Sequence, residues 1–364
     1  MKNKKIRMVL ALLAACPLLL AACQSSGNDS ASDAQDSSAG KGQVYIFNYG
    51  DYIDPDVLKQ FEEETGIEVV YDTYDTNEEM YPIIESGSVR YDVVCPSDYM
   101  VERMIQNELL EEIDYDKVPN AEYISDTCRE FADSFDPGNR YSIPYNWGTV
   151  GILYNSRMLP EGTITGWKDL WKSEYSDEIM MQDSLRDIYM VALKILGYSA
   201  NTESESEIAE ATQLLIEQKP LVYKYATDAI RDFMINESAM LGVIYSGEVL
   251  YCQEENEDLQ YVVPEEGTNV WFDNWVIPKN CRNKENAEAF IDFMCRPEIG
   301  LKTFEYLHYS TPNDGTLAMM SEADKADPSV NPDKKILERC EVYHDLGDDV
   351  NRMYNRYWKA FKSE

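Results

Sequence analysis

Apolar and polar positions along the chain fall into short runs with two alternating periods. Val44 to Tyr49 is a run of strand length, and Asp54-Pro55 then sets a capping carboxylate before a proline suited to the first helical position. Val57, Leu58 and Phe61 share one helical face up to Gly66, and Ile67 to Tyr71 reads as a second strand. Met80, Ile83 and Ile84 mark a second helix, and Tyr91 to Cys95 a third strand. Strand, helix, strand, helix, strand is the order of a parallel sheet with helices on its faces. A second block follows. Tyr141 to Tyr145 is extended and leads through Trp147-Gly148 into a strand over Gly151 to Tyr154. Beyond a Trp-rich segment (Trp167 to Trp171) come a strand near Glu178 to Met181, a helix from Ser184 to Leu196 stopped by Gly197, and a helix over Glu205 to Gln218. Leu221 to Tyr223, Met240 to Tyr245 and Gln260 to Val263 read as strands. Lys284 to Cys295 reads as a helix with Ala287, Phe290, Ile291 and Met294 on its apolar face. No internal repeat stands out.

The stretch Asn269 to Lys279 (NVWFDNWVIPK) returns the chain between the two blocks. Side chains alternate along a strand, so Trp271 and Asp273 share one face while Phe272 and Asn274 take the other. An indole beside a fixed carboxylate suits an ammonium ion, which the ring attracts through its quadrupole and the carboxylate accepts as a donor. With extended segments near 144–150 and 271–278, the pattern predicts two α/β lobes joined by paired crossovers. One lobe covers 44–148 plus 275–318 and the other 149–274 plus 319–364. Ligands of open α/β sheets bind beyond the carboxyl ends of the strands, which in two facing lobes border a common cleft.

The front of the chain adds an address. Lys2, Lys4, Lys5 and Arg7 precede the apolar run Met8 to Leu20, and Leu20-Ala21-Ala22-Cys23 has the form of a bacterial lipobox. Residues 1–23 therefore read as a lipoprotein signal with Cys23 as the lipidated mature N-terminus. Residues 24–43 form a Ser/Gly/Asp-rich tether; the 18 residues Gln24 to Lys41 would reach roughly 23 Å as a flexible chain. The expected location is extracytoplasmic: lipid-anchored to the outer face of the cell membrane, or periplasmic in a Gram-negative source.

The signal holds four of the 32 basic residues and none of the 67 acidic ones, leaving 28 against 67 and a formal charge of −39. Such a balance argues against nucleic acid and favours a cationic ligand. About 320 residues remain beyond the tether, enough for two lobes. Cys95, Cys128, Cys252, Cys281, Cys295 and Cys340 form no CxxC pair, and the only histidines are His308 and His344, so no structural zinc site is expected. Some of the six could pair outside the cell, while Cys95, within an apolar run, reads as a buried thiol.

Residues at the strand ends are the candidate ligand contacts. Tyr49 and Tyr52 follow the first strand, and Ser97 and Tyr99 the third. Ser184 and Asp187 share a face at a helix start, Tyr245 ends a second-block strand, Trp271 and Asp273 lie on the return crossover, and Tyr309 precedes Ser310-Thr311-Pro312. The set is aromatic and acidic with no Arg or Lys, which a phosphate or carboxylate ligand would want. A sugar or metal binder on the same fold, or an extracellular hydrolase using Asp187 and Asp273, are the alternatives. No D-x-D-x-D-G calcium loop is present, and no cofactor is implied.

The segments YIFNYGDY (45–52), FEEETGI (61–67), YDVVCPS (91–97), YSIPYNWG (141–148), LGYS (196–199), WFD (271–273) and YSTPN (309–313) resemble the spermidine/putrescine-binding (PotD-like) lipoproteins of polyamine ABC importers. The likeness runs from about Val44 to the C-terminus in the same order and spacing. It implies a type II periplasmic-binding-protein fold, a binder rather than an enzyme, a monomer, and delivery of a polyamine to the permease subunits of an ABC transporter. It implies an aromatic box of Tyr49, Tyr52, Tyr99, Tyr245, Trp271 and Tyr309 with Ser97 as a polar contact. Asp273 falls on the family's carboxylate for a central amine, Asp187 on its second-lobe acid, and Tyr343 where a Gln contact can occur. Ser184 stands where some spermidine binders carry a second acid, and Tyr49 and Tyr245 replace Trp, leaving spermidine and putrescine both open.

Overall fold

The structure, a computed structural model, describes residues 42–227 and 229–364. Cys23, the signal and all but the last two tether residues lie outside the described residues. Among the described residues ten strands form: β1 (Gln43–Tyr49), β2 (Glu68–Tyr74), β3 (Val93–Val94), β4 (Leu110–Glu111), β5 (Ser142–Asn155), β6 (Ile179–Gln182), β7 (Val222–Ala226), β8 (Leu241–Tyr245), β9 (Leu259–Val262) and β10 (Val270–Pro278). They are ordered β2-β1-β3-β10-β5-β8-β6-β7, with β4 added to β10 and β9 to β5. β1 runs parallel to β2 and β3, and β6 parallel to β7 and β8. Between these parallel blocks lie β10 and β5, antiparallel to each other and to their outer neighbours.

The first helix, Pro55–Thr65, follows its sequence signals. Asp54 accepts the Asp56 N–H at 2.9 Å, Pro55 opens the helix, and Gly66 closes it in the left-handed region at φ 70°. Gly197 ends Leu185–Leu196 in the same way at φ 79°. Two elements differ in length from the sequence expectation. Only Val93–Val94 of the third strand pairs, whereas β5 continues for 14 residues through Pro144 and Gly148, all of them buried. Pro144 is tolerated because the ladder shifts there: Asp273 pairs with Asn146 and Asn274 with Pro144, leaving Tyr145 as the extra residue of a bulge. The structure also adds the helices Asp98–Gln106 and Gly347–Ser363.

The apolar side chains divide into two large cores. The first gathers Ile46, Phe61, Val93, Trp147, Phe272 and Phe290; the second gathers Val150, Ile152, Trp167, Met190, Leu215 and Tyr354. β5 thus passes from one core to the other across Gly148-Thr149. The chain near its end does the same, since Val342 packs on the first core and Tyr343 on the second. All six cysteines beyond the signal are free thiols, Cys95 fully buried among them.

Candidate functional site

Strand ends from both cores open onto one cavity of about 970 Å³, at the upper end of the range for small-molecule sites. All eleven residues named from the sequence line it: Tyr49, Tyr52, Ser97, Tyr99, Ser184, Asp187, Tyr245, Trp271, Asp273, Tyr309 and Tyr343.

On the first-core side the organising group is Asp273, 7% exposed. The bulge follows it directly, and the alternation along β10 sends Phe272 into the core and Asp273 into the cavity. Its Oδ1 accepts from Ser97 Oγ at 2.7 Å and its Oδ2 from Tyr52 OH at 2.5 Å. Ser97 has one proton, which goes to Asp273, so Tyr49 OH (3.0 Å) and Asn77 Nδ2 (3.1 Å) are the donors to its oxygen. Asn77 also donates to Tyr99 OH at 3.2 Å, joining five of the named residues, Tyr49, Tyr52, Ser97, Tyr99 and Asp273, into one network. Tyr145 OH donates to the Tyr52 carbonyl at 2.8 Å, so the bulge residue braces the ring that contacts Asp273. Burial pushes the Asp273 carboxyl up, and the Ser97 and Tyr52 hydrogen bonds oppose the rise.

On the second-core side the equivalent group is Asp187, 3% exposed, in the first turn of Leu185–Leu196. Its Oδ2 accepts from Tyr245 OH at 2.5 Å and its Oδ1 from Tyr343 OH at 2.9 Å. Tyr343 is held in turn by the Arg186 guanidinium, 4.4 Å above its ring. Burial first, then the adjacent carboxylates, push the hydroxyls of Tyr49, Tyr52, Tyr245 and Tyr343 well above the ordinary tyrosine value, so all four remain donors. Among the described residues, no Lys, Arg or His nitrogen lies within 4.0 Å of either aspartate. Two buried acids are therefore served by hydroxyls alone.

A series of aromatic rings also lines the cavity. Trp271 meets Tyr309 edge-on at 5.5 Å, Tyr309 meets Tyr52 at 5.7 Å, and Tyr52 meets Tyr49 at 5.4 Å. Two glycines make room for this wall. A Cβ at Gly148 would stand 2.5 Å from the Trp271 ring, and one at Gly247 would stand 2.0 Å from the Tyr309 ring. Among the described residues, seven carboxylates line the cavity, against two guanidinium groups and one imidazole.

This geometry has counterparts among known proteins. The family model for bacterial extracellular solute-binding protein matches residues 56–332. The chain belongs to that family. The spermidine/putrescine-binding periplasmic protein of Salmonella typhimurium is 34% identical over 346 residues, covering 95% of this chain and 97% of that one. The crystal structure of the spermidine/putrescine ABC transporter substrate-binding protein PotD from Streptococcus pneumoniae matches with a TM-score of 0.83 and 41% identity, over 88% of this chain and 99% of that one. The Tp0655 (TpPotD) lipoprotein of Treponema pallidum matches with a TM-score of 0.76 and 27% identity, over 88% and 99%. The fold is the two-lobed α/β fold of periplasmic solute-binding proteins, as the resemblance implies.

Sequence reasoning missed Asn77, Asp98, Gly148 and Gly247 as parts of the site. Asn77 stands one residue after the N-cap Thr76, and Asp98 opens a helix, where polar residues are ordinary. Gly148 reads from the sequence only as part of the link between an extended segment and a strand. Nothing local marks Gly247, whose function is the space it leaves for a ring 62 positions away.

Proposed function

We propose that this protein is an extracytoplasmic receptor that captures a linear polyamine, spermidine or putrescine, in this cavity and hands it to an ABC importer. The observation that carries the reading is the pair of buried aspartates, Asp187 and Asp273, each hydrogen-bonded by two hydroxyls and neither facing a basic side chain. A buried carboxylate without a cation is costly unless the cation arrives with the ligand. Ammonium groups at intervals along a methylene chain supply that, and the Trp271, Tyr309 and Tyr52 rings between the acids give the methylenes apolar faces and the ammoniums cation–π partners. The names of the relatives in Salmonella and Streptococcus agree with this ligand class.

In this reading the lobes are 44–148 plus 275–318 and 149–274 plus 319–364, with Val270 and Phe272 of β10 packed on the first lobe's core, and they close on the ligand about the β5–β10 pair. The eleven named residues form the contact set. The protein binds rather than transforms its ligand, acts as a monomer, and hangs from the membrane by acyl chains on Cys23, with the permease subunits as its partner. The name of the Treponema lipoprotein agrees with such an anchor.

A thermal-shift panel tests the ligand class. Spermidine and putrescine at one hundred times Kd should stabilise the protein by about 2.7 kcal/mol. A melting curve unmoved by either amine at millimolar concentration but raised by a sugar or calcium would reject the reading.

A further inference from the structure

Asp98 is a cavity carboxylate that the polyamine reading leaves without a task. It occupies the first position of the helix Asp98–Gln106, is 2% exposed, and lies beside the bridge between Ser97 and Asp273. Its Oδ2 accepts the backbone N–H of Phe272 at 3.0 Å, and its Oδ1 accepts that of Tyr99 at 2.7 Å. One side chain therefore ties the residue before Asp273 to the residue after Ser97 and its neighbour Tyr99. Displacing it would shift the cavity's first acid relative to the hydroxyl network that serves it.

Its electrostatic surroundings are as specific. From β10, the charge of Asp273 opposes ionisation of Asp98, and from the C-terminal segment His344 favours it. His344 itself is turned to Glu102, one turn further along the Asp98 helix, with Nδ1 3.3 Å from the carboxylate. Glu102 also accepts the Asp345 N–H at 2.9 Å. Among the described residues no cationic nitrogen lies within 4.0 Å of Asp98 to hold its charge. Burial, with Asp273 adding to it, raises the Asp98 carboxyl to about 7, while the two backbone N–H groups pull the other way. Two buried acids thus sit together in the cavity, and burial and the charge of Asp273 both oppose ionisation of Asp98.

We propose that Asp98 is a positioning residue whose proton is exchanged for the ligand's charge: a cation bound at Asp273 expels the Asp98 proton to solvent, and the resulting carboxylate grips the Phe272 and Tyr99 amides. The inference rests on the polyamine reading of the same cavity. The balance is simple, since the carboxylic acid loses H⁺ to buffer and the ammonium takes over the neutralising charge. The ligand's terminal amines, with a lysine-like pKa of about 10.4, are already protonated and add no proton of their own.

Isothermal titration with putrescine and spermidine, repeated in buffers of different ionisation enthalpy, reads the protons directly. About half a proton per site should be released at pH 7, more at pH 6 and little at pH 8. Affinity should accordingly tighten as pH rises from 6 to 8, by at most about tenfold per unit. Asp98→Asn should abolish the release and flatten the pH profile, whereas His344→Gln should keep both. Binding whose heat is the same in every buffer overturns the inference, as does release that survives Asp98→Asn or disappears in His344→Gln. Should Asp98→Asn fail to fold, the wild-type buffer series and His344→Gln still decide. Absence of any binding heat with either amine would instead reject the polyamine reading, and this inference with it.

Discussion

Replacing Asp273 with asparagine keeps the volume and removes the charge, which makes it the sharpest perturbation of the site. In the free protein the change should be tolerated. An asparagine oxygen can still accept from one of the two hydroxyls, and the other hydroxyl can rotate to accept from its amide. Burial already disfavours the aspartate charge, so the empty protein loses little stability and sheds a desolvation cost. The complex behaves differently. An ammonium enclosed beside Asp273 loses a charge partner that is 7% exposed, and truncating one member of such a pair typically costs about 2–5 kcal/mol. At about 1.4 kcal/mol per tenfold, the Kd for spermidine or putrescine should rise by about thirtyfold to a few thousandfold. Isothermal titration measures it, with Glu63→Gln as the control. Glu63 is an exposed carboxylate on the first helix and outside the cavity, so its loss changes only the general field and should alter Kd by no more than about twofold. Equal small losses in the two variants would refute the pairing and reduce the acidity of the cavity to a solvated surface.

Gly148→Ala should place a methyl against the Trp271 ring and Ser246 Oγ, costing about 1–3 kcal/mol of stability and weakening polyamine binding, read by melting and titration together. A variant that binds as tightly as the parent would show that the Trp271 ring is not held by that space. Cys23→Ala should move the protein from the membrane fraction to the soluble one, because stable attachment takes two acyl chains; retention at the membrane would contradict the lipobox reading. The pH dependence of the ligand-free protein follows from Asp98 and His344. Both are raised in the folded state, Asp98 mainly by burial and His344 mainly by its Glu102 hydrogen bond. The native state therefore binds more protons than the unfolded one, through Asp98 between the ordinary carboxyl range and about pH 7, and through His344 from the ordinary imidazole value upward. Each contribution to stability falls as pH rises through that group's own window, by at most about 1.4 kcal/mol per unit. Denaturant melts from pH 5 to pH 8 should show that decline in the parent and a shallower one in Asp98→Asn.

Much of this site was legible because its residues obey local rules. Trp271 and Asp273 face the cavity while Phe272 faces the core, as strand alternation requires, and Asp54-Pro55 and Gly66 bound the first helix as their capping chemistry predicts. Strand ends are also where an α/β sheet presents its ligand, which is why Tyr49 and Tyr245 could be named in advance. What escaped depends on distant partners. Tyr343 and Asp187 meet across 156 positions, and only family resemblance suggested the tyrosine. Asp98 resembles an ordinary acidic start to a helix until β10 is laid over it. The continuity of β5 was hidden by Pro144, which is accommodated by a bulge that is itself a property of strand pairing. The cysteines are a similar case. Their spacing leaves pairing open, and the fold keeps all six as free thiols, five of them buried.

A crystal structure of the protein grown with saturating spermidine, and a second with putrescine, tests the central claim most directly. The account predicts an extended chain of density along the Trp271, Tyr309 and Tyr52 rings, with one nitrogen within hydrogen-bond distance of Asp273 and another at Asp187. A cavity left without amine at saturation, or an amine bound elsewhere with both aspartates still bonded only to their hydroxyls, would contradict it.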